Sequence, residues 1–194
     1  PFYKIASADL TNIPLIKHIA SIGKPLILST GGGNLDDVRR AYETIMPINK
    51  QLVILQCTAC YPVEDYEDMN ISVVNTFRKE FPENVIGLSD HESNIAMALV
   101  AFTFGARVVE KHFTLNRAWR GTDHAFSLAP GGLKRLVRNL RRAKRAIGDG
   151  LKRRLPSEEK PLFKMSKKLV AARNLTQGHV ISHEDIAIKS PGDG

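Results

Sequence analysis

Apolar residues along the first three quarters of this chain fall into short runs separated by longer stretches with helical spacing. Residues 2–7, 25–30, 52–58, 85–89 and 106–113 read as strands. Residues 12–22, 34–46, 68–80, 93–104 and 132–147 read as helices. Leu133, Leu136, Val137, Leu140 and Ile147 keep the period of a helix that faces a core. Asn34 is placed as an N-cap, with Asp36 and Asp37 in the favoured first turn, and Gly105 is placed to stop the fourth helix. Strand and helix alternate with a repeat of roughly 30 residues, the mark of parallel βαβ units. Five such units fit either the last five-eighths of a (β/α)₈ barrel or an open doubly wound sheet, and the spacing does not separate the two.

After residue 148 the pattern changes. Residues 149–163 read as a linker, opened by Gly148-Asp149-Gly150 and holding a basic cluster, Pro156 and Pro161. Residues 164–194 read as a small β-rich domain. Its expected strand at residues 168–172 is followed by a turn at residues 174–178, an extended piece at Val180-Ile181 and another at residues 185–189. The first domain is thus expected over residues 1–148. A strand pattern begins at once after Pro1, so the chain is expected to start in mid-fold and to be a piece of something longer, with the second domain cut at Gly194.

Composition narrows the class. With 194 residues and 43% hydrophobic content the chain can bury one sizeable core and a small second one. It has no apolar run of about 18 residues and no secretory signal pattern. Cys57 and Cys60 form a lone C-x-x-C with no second pair to complete a zinc site. Strand alternation points the two thiols to opposite faces, and they read as buried reduced cysteines of a cytoplasmic protein. The net charge of +8 is concentrated: Gly131 to Arg173 holds 15 Lys/Arg against 3 Asp/Glu, leaving 13 against 17 elsewhere.

Two segments carry candidate chemistry. Gly87-Leu88-Ser89-Asp90-His91 and Val109-Glu110-Lys111-His112-Phe113-Thr114 are each an apolar run closed by a histidine. Parallel neighbours lie about 4.8 Å apart. Histidines closing both strands at one end can therefore share a divalent metal, at the carboxyl ends of strands where α/β enzymes place their chemistry. A histidine near a strand end serves equally well as a hydrogen-bonded structural residue. Lys4 is notable in an apolar strand, since lysine is rarely buried unpaired. Ser29-Thr30-Gly31-Gly32-Gly33 before a helix reads either as an anion cradle or as a tight βα turn.

Lys4-Ile5-Ala6-Ser7-Ala8-Asp9, Cys57-Thr58-Ala59-Cys60-Tyr61-Pro62, Ser89-Asp90-His91, Glu110-Lys111-His112-Phe113-Thr114 and Gly121-Thr122-Asp123-His124 follow one another in that order. The series resembles the motifs of the N-acetylneuraminate (sialic acid) synthase family. The stretch from Val170-Ala171 through Gly178 to Asp185-Ile186 resembles the opening of that family's SAF (antifreeze-like, β-clip) domain. The resemblance implies a TIM barrel, of which this chain holds strands four to eight. It also implies a domain-swapped homodimer in which the SAF domain of one subunit covers the barrel mouth of the other. The implied reaction condenses phosphoenolpyruvate with N-acetylmannosamine, or its 6-phosphate, and water. It gives N-acetylneuraminate, or its 9-phosphate, and releases phosphate. A divalent metal is implied: manganese, with magnesium or cobalt as substitutes.

Residue by residue, the resemblance makes His91 and His112 the metal ligands, with the metal acting as a Lewis acid on the open-chain aldehyde. Lys4, Ser7, Ser29 and Ser89 match positions that hold phosphoenolpyruvate, where an ammonium and hydroxyls suit phosphate and carboxylate oxygens. Lys4 and Ser7 differ in strand parity, so both reach the ligand only if the strand bends near Ser7. Asp9 matches a carboxylate, usually glutamate, that orients or deprotonates the attacking water; otherwise it is a helix-entry residue. Tyr61 and Asp123 match sugar-binding positions. Asp90 and Glu110 are expected to point away from the histidine face. Ala59 departs from the family, which often places a polar side chain there, and Gly131-Gly132 departs at a helix start that is usually acidic.

Two other classes stay open. Arg135, Arg138, Arg141, Arg142, Lys144, Arg145, Lys152, Arg153 and Arg154 make a strongly basic surface that would suit a nucleic acid or another polyanion, although aromatic side chains for base stacking are missing there. A non-catalytic sugar-binding relative is the third reading. The 194-residue piece is expected to be inactive by itself, and a part-barrel leaves two open edges. No nucleic-acid or membrane partner is expected.

Overall fold

A computed structural model describes residues 1–190. Five strands, β1 (Tyr3–Ile5), β2 (Leu26–Ser29), β3 (Leu52–Cys57), β4 (Val85–Asp90) and β5 (Val108–Lys111), alternate with α1 (Ile13–Ser21), α2 (Leu35–Ile45), α3 (Val73–Glu80), α4 (Ala96–Thr103) and α5 (Pro130–Ala146). All neighbouring strands are parallel, in the order β1-β2-β3-β4-β5. A doubly wound sheet reverses its strand order at a switch point. This sheet does not; each crossover advances one strand in the same direction, as in a barrel.

The sheet is also strongly curled. Lys4 on β1 and Glu110 on β5 meet at 3.4 Å across the concave face. In a flat sheet four strand spacings would hold those backbones about 19 Å apart. The architecture is a parallel half-barrel, and the open doubly wound alternative is excluded.

Alternation along the strands sorts the side chains. Ile5, Leu26, Leu28, Ile54, Ile86 and Leu88 point outward and pack on Ile16, Ala20, Val38, Ala41, Ile45, Val74 and Phe77 of α1, α2 and α3. A smaller cluster joins Ala98, Leu128 and Leu136, with Val109 against it. The concave face receives Lys4, Ser29, Cys57, Ser89 and Glu110. Gly87 permits close packing there: a Cβ would lie 2.4 Å from the Val108 carbonyl oxygen and 2.5 Å from Leu55 Cδ2.

Local chemistry sets the element ends. Asn34 Oδ1 accepts from the N–H groups of Asp36 (2.9 Å) and Asp37 (3.0 Å), and Asp37 returns a bond to the Asn34 N–H, closing a capping box. The third helix starts at Val73, not at residue 68. Asp65 caps a 3-10 turn over Tyr66–Met69, and Asn70 then takes a left-handed conformation (φ 38°) that interrupts the chain. Helix α5 starts earlier than expected because Pro130 suits a first turn. Strand β5 is shorter than expected, and Phe113 makes only an isolated bridge to Leu128.

The chain divides between Ile147 and Gly148. In the second unit the expected linker is partly helical, with a 3-10 turn at Pro156–Glu158 and α6 (Glu159–Met165). Glu158 accepts from the Leu155 N–H at 2.7 Å, which starts that turn. Strands β6 (Lys168–Ala171) and β7 (Ile186–Lys189) pair antiparallel. Val180 and Ile181, expected as an extended piece, belong to no strand. Residues 191–194 of the expected second domain lie outside the described residues.

Asp185, buried, is the hub of this unit. It accepts from Arg173 (2.7 Å), His179 (2.7 Å) and the N–H and hydroxyl of Ser182 (2.9 Å each). The His179 bond first, then the Ser182 N–H and Arg173, hold its carboxyl well below the usual range. A depressed carboxyl stabilises the fold above its unfolded pKa of about 3.9, and that contribution is lost as pH falls through the lower folded value. The β6–β7 unit should therefore lose amide protection on acidification below about pH 4, and Asp185→Asn should flatten that dependence. Hydrogen exchange between pH 7 and pH 2 reads this; equal pH profiles for the two proteins would contradict it.

Candidate functional site

The concave face and the carboxyl ends of the strands gather most of the polar residues singled out above. Strand β1 stops at Ile5, and a 3-10 turn at Ser7–Asp9 bends the chain. That bend resolves the parity conflict between Lys4 and Ser7. The Ser7 hydroxyl accepts from the Gly31 N–H (3.0 Å) and donates to Cys57 Sγ (3.4 Å). Gly31 allows this approach, since a Cβ there would lie 2.9 Å from Cys57 Sγ. Ser29 is buried, and its hydroxyl has no hydrogen-bond partner among the described residues. Ser89 donates to Glu110 Oε1 at 2.7 Å, and Lys4 faces the other oxygen of that carboxylate.

Glu110 therefore lies on the concave face, a correction to the expectation that it points away. It precedes His112 by two residues and so shares its parity. The residue turned away is Lys111, whose ammonium lies 3.0 Å from Asp90 on the outward face of the strands. Burial pushes the Asp90 carboxyl up, and the Lys111 charge pulls against it.

The two histidine rings converge. His91 Nδ1 and His112 Nε2 are 2.9 Å apart, within hydrogen-bond distance. The other nitrogen of His91 is 3.5 Å from Cys57 Sγ, and His112 Nδ1 lies 3.6 Å from Asp123 Oδ2. Burial, and next the neighbouring His112 charge, push the His91 pKa down to about 4. The ring is neutral at pH 7 and has a lone pair to offer. Tyr61 covers the pair, its ring centroid 4.2 Å from that of His91 and 5.9 Å from that of His112, and Phe126 stacks edge-on against His112. Burial, then Cys57, Asp123 and Glu110, raise the Tyr61 pKa, so the phenol stays protonated.

Asp9 is set apart. It sits in the turn after β1, at the same end of the sheet, and its carboxylate accepts from the Asn12 side chain (3.2 Å) at the entry to α1. Cys57 and Phe126 are members of the site that sequence reasoning missed. Parity could have found Cys57, which pairs in register with Ser89. Cys60, expected to be buried, is exposed.

The spacing of the two nitrogens fits a divalent metal. Two ligands about 2.1 Å from one ion in neighbouring octahedral positions are about 3.0 Å apart, close to the separation of the two nitrogens. An ion at that distance from both nitrogens would sit to one side of the line joining them, and the hydrogen bond between the rings would give way to it. No group of three or more His, Cys, Asp or Glu side chains among the described residues forms a metal cage. The donor set thus suits an ion that keeps most of its positions open for water or substrate. The surrounding cavity, about 240 Å³, is lined by Ser89, His91, Glu110 and His112 among others. A larger groove, about 690 Å³, follows α5 between Phe113, Leu133 and the arginines. It holds no acid, base or nucleophile to pair with them. No helix among the described residues is long and apolar enough to cross a membrane.

A model of the NeuB family matches residues 1–152. Human N-acetylneuraminate-9-phosphate synthase is 37% identical over 189 residues, 97% of this chain and 52% of that protein. The N,N'-diacetyllegionaminic acid synthase of Campylobacter jejuni is 35% identical over 195 residues, covering 99% and 58%. The crystal structure of N-acetylneuraminic acid synthetase from Leptospira borgpetersenii, in complex with citrate, matches with a TM-score of 0.74 and 31% identity over 83% of this chain and 56% of that one. A 3-deoxy-D-arabino-heptulosonate 7-phosphate synthase from Thermotoga maritima, 18% identical, matches with a TM-score of 0.65 over 76% of this chain and 59% of that one, and shares the fold. The chain spans about half the length of the curated relatives it matches. A half-barrel with these motifs on its concave face, matched across residues 1–152, belongs to the NeuB family of sialic acid synthases.

Proposed function

We propose that this chain supplies strands four to eight of a (β/α)₈ barrel and the opening of a SAF domain in a metal-dependent condensing enzyme. Its substrates are phosphoenolpyruvate, an N-acetylmannosamine-type sugar, free or 6-phosphorylated, and water. Its products are the matching nonulosonic acid and phosphate. The observation that carries this reading is the pair of converging imidazoles beside Lys4, Ser7, Ser29 and Ser89 on one concave face.

Lys4 supplies a cation for phosphate or carboxylate oxygens, and the partnerless Ser29 hydroxyl supplies a buried donor. Glu110 holds Lys4 and Ser89 in place until the anion arrives. His91 and His112 would hold the divalent ion, manganese in the first instance. Bound there, it would supply Lewis acidity to the sugar's aldehyde group, the electrophile for carbon 3 of phosphoenolpyruvate. Tyr61 lies over the histidines and Asp123 beside His112, where a phenol and a carboxylate can meet sugar hydroxyls. Asp9 is assigned to the attacking water, which requires it to leave Asn12. The intact enzyme is read as a cytoplasmic, domain-swapped homodimer.

Phosphate release by the intact protein should require phosphoenolpyruvate, the sugar and Mn²⁺ together and should stop in EDTA. Undiminished turnover in EDTA would remove the metal from the reading. Phosphate release without sugar would remove the condensation.

A further inference from the structure

Asp90 and Lys111 stand directly opposite each other on β4 and β5, each one residue before a histidine of the site. Their side chains are 0% and 5% exposed and 3.0 Å apart, on the face of the strands where Leu88 and Val109 also point. Taking two charges out of water is costly, and an apolar pair of similar shape would hold two strands together as well or better. Strand cohesion alone does not account for the pair.

Its further bonds do. The Lys111 ammonium also donates to the Glu92 backbone carbonyl, and the Glu92 N–H donates to Asp90 Oδ1 at 2.9 Å. His91 is thereby flanked on both sides by residues tied to one ammonium, and that ammonium belongs to the neighbour of His112. The Tyr66 hydroxyl donates to Glu92 Oε1 at 3.1 Å and fastens the same turn from the loop after β3. The turn carrying His91 cannot drift from His112 without breaking this ring of bonds.

We propose that the buried Asp90–Lys111 pair is a clasp that sets the separation of the His91 and His112 rings, so that both are positioning residues for the divalent ion. This rests on the metal reading above. Lys111→Met leaves the Asp90 charge buried alone and frees the Glu92 carbonyl. Asp90→Asn with Lys111→Met removes both charges, keeps the shapes and keeps an acceptor for the Glu92 N–H, but still frees that carbonyl.

The test is Mn²⁺ uptake by the intact protein, read from the paramagnetic resonance of free Mn²⁺ at 10 °C, beside thermal unfolding without metal. Lys111→Met should lower both the melting temperature and the Mn²⁺ affinity. The double variant should regain most of the melting temperature while its Mn²⁺ affinity stays about tenfold or more below wild type. Lys111→Arg, which can still reach both partners, should keep most of the affinity. If the folded double variant binds Mn²⁺ as the wild type does, the pair is only structural and the clasp is rejected. If the wild type itself takes up no Mn²⁺, the histidine metal site is rejected and the clasp with it. Loss of affinity in Lys111→Arg equal to that in Lys111→Met would also reject the clasp.

Discussion

Replacing His91 or His112 by alanine in the intact protein should lower phosphate release by about a thousandfold or more, with Mn²⁺ uptake lost in parallel. The size follows from what is removed. A Lewis acid contributes several kcal/mol of charge stabilisation to a carbonyl addition, and each 1.4 kcal/mol is a factor of ten in rate. Both rings stand on the concave face, away from the layer between sheet and helices, so the variants should stay folded. The two variants should also fail alike, since each nitrogen of the close pair needs the other to make a site. Steady-state phosphate release with saturating phosphoenolpyruvate and sugar decides it. A variant that keeps a tenth of wild-type turnover would show that the imidazoles do not share the reacting ion.

The largest expected effect on stability lies on the opposite face. Ile54 sits in the middle of β3, fully buried among residues that join the sheet to its helices. Ile54→Ala should cost about 2–5 kcal/mol, from lost transfer free energy plus the cavity left behind. Leu28 is its register partner on β2 and points the same way. Leu28→Ala should cost as much, and the double variant should depart from additivity because the two truncations share one cavity. Urea titration of the intact protein measures this. A loss under about 1 kcal/mol for either single variant would mean that this layer is not where the half-barrel is held. Activity per folded molecule should survive, since the truncated side chains face away from the site.

The sequence disclosed different parts of this molecule unequally. The second helix was legible to within a residue, because Asn34 and Asp37 announce its start chemically. The third was overextended, because Asp65 and Asn70 each favour a turn and helical spacing does not weigh that. The two histidines were found as a pair, since parallel neighbours bring strand ends together whatever the tertiary detail. Glu110 departs from its expected orientation although its parity with His112 is plain in the sequence; its contacts with Ser89 and Lys4 are tertiary and leave no mark there. Ser7 and Lys4 looked incompatible until the turn after β1 was seen. The curl of the sheet was not legible at all. It is a collective result of twist and packing, with no residue whose type records it.

The contact between Lys4 and Glu110 has a consequence for ligand choice. Because the first strand leans over to the fifth, a positive group at one margin and the paired rings at the other share a single floor. A small anion held at Lys4 can reach a carbonyl compound held at the rings without a long spacer. The span it must bridge is set by the bend of the backbone, so enlarging one side chain cannot adapt this floor to a longer ligand unless the strands also unroll.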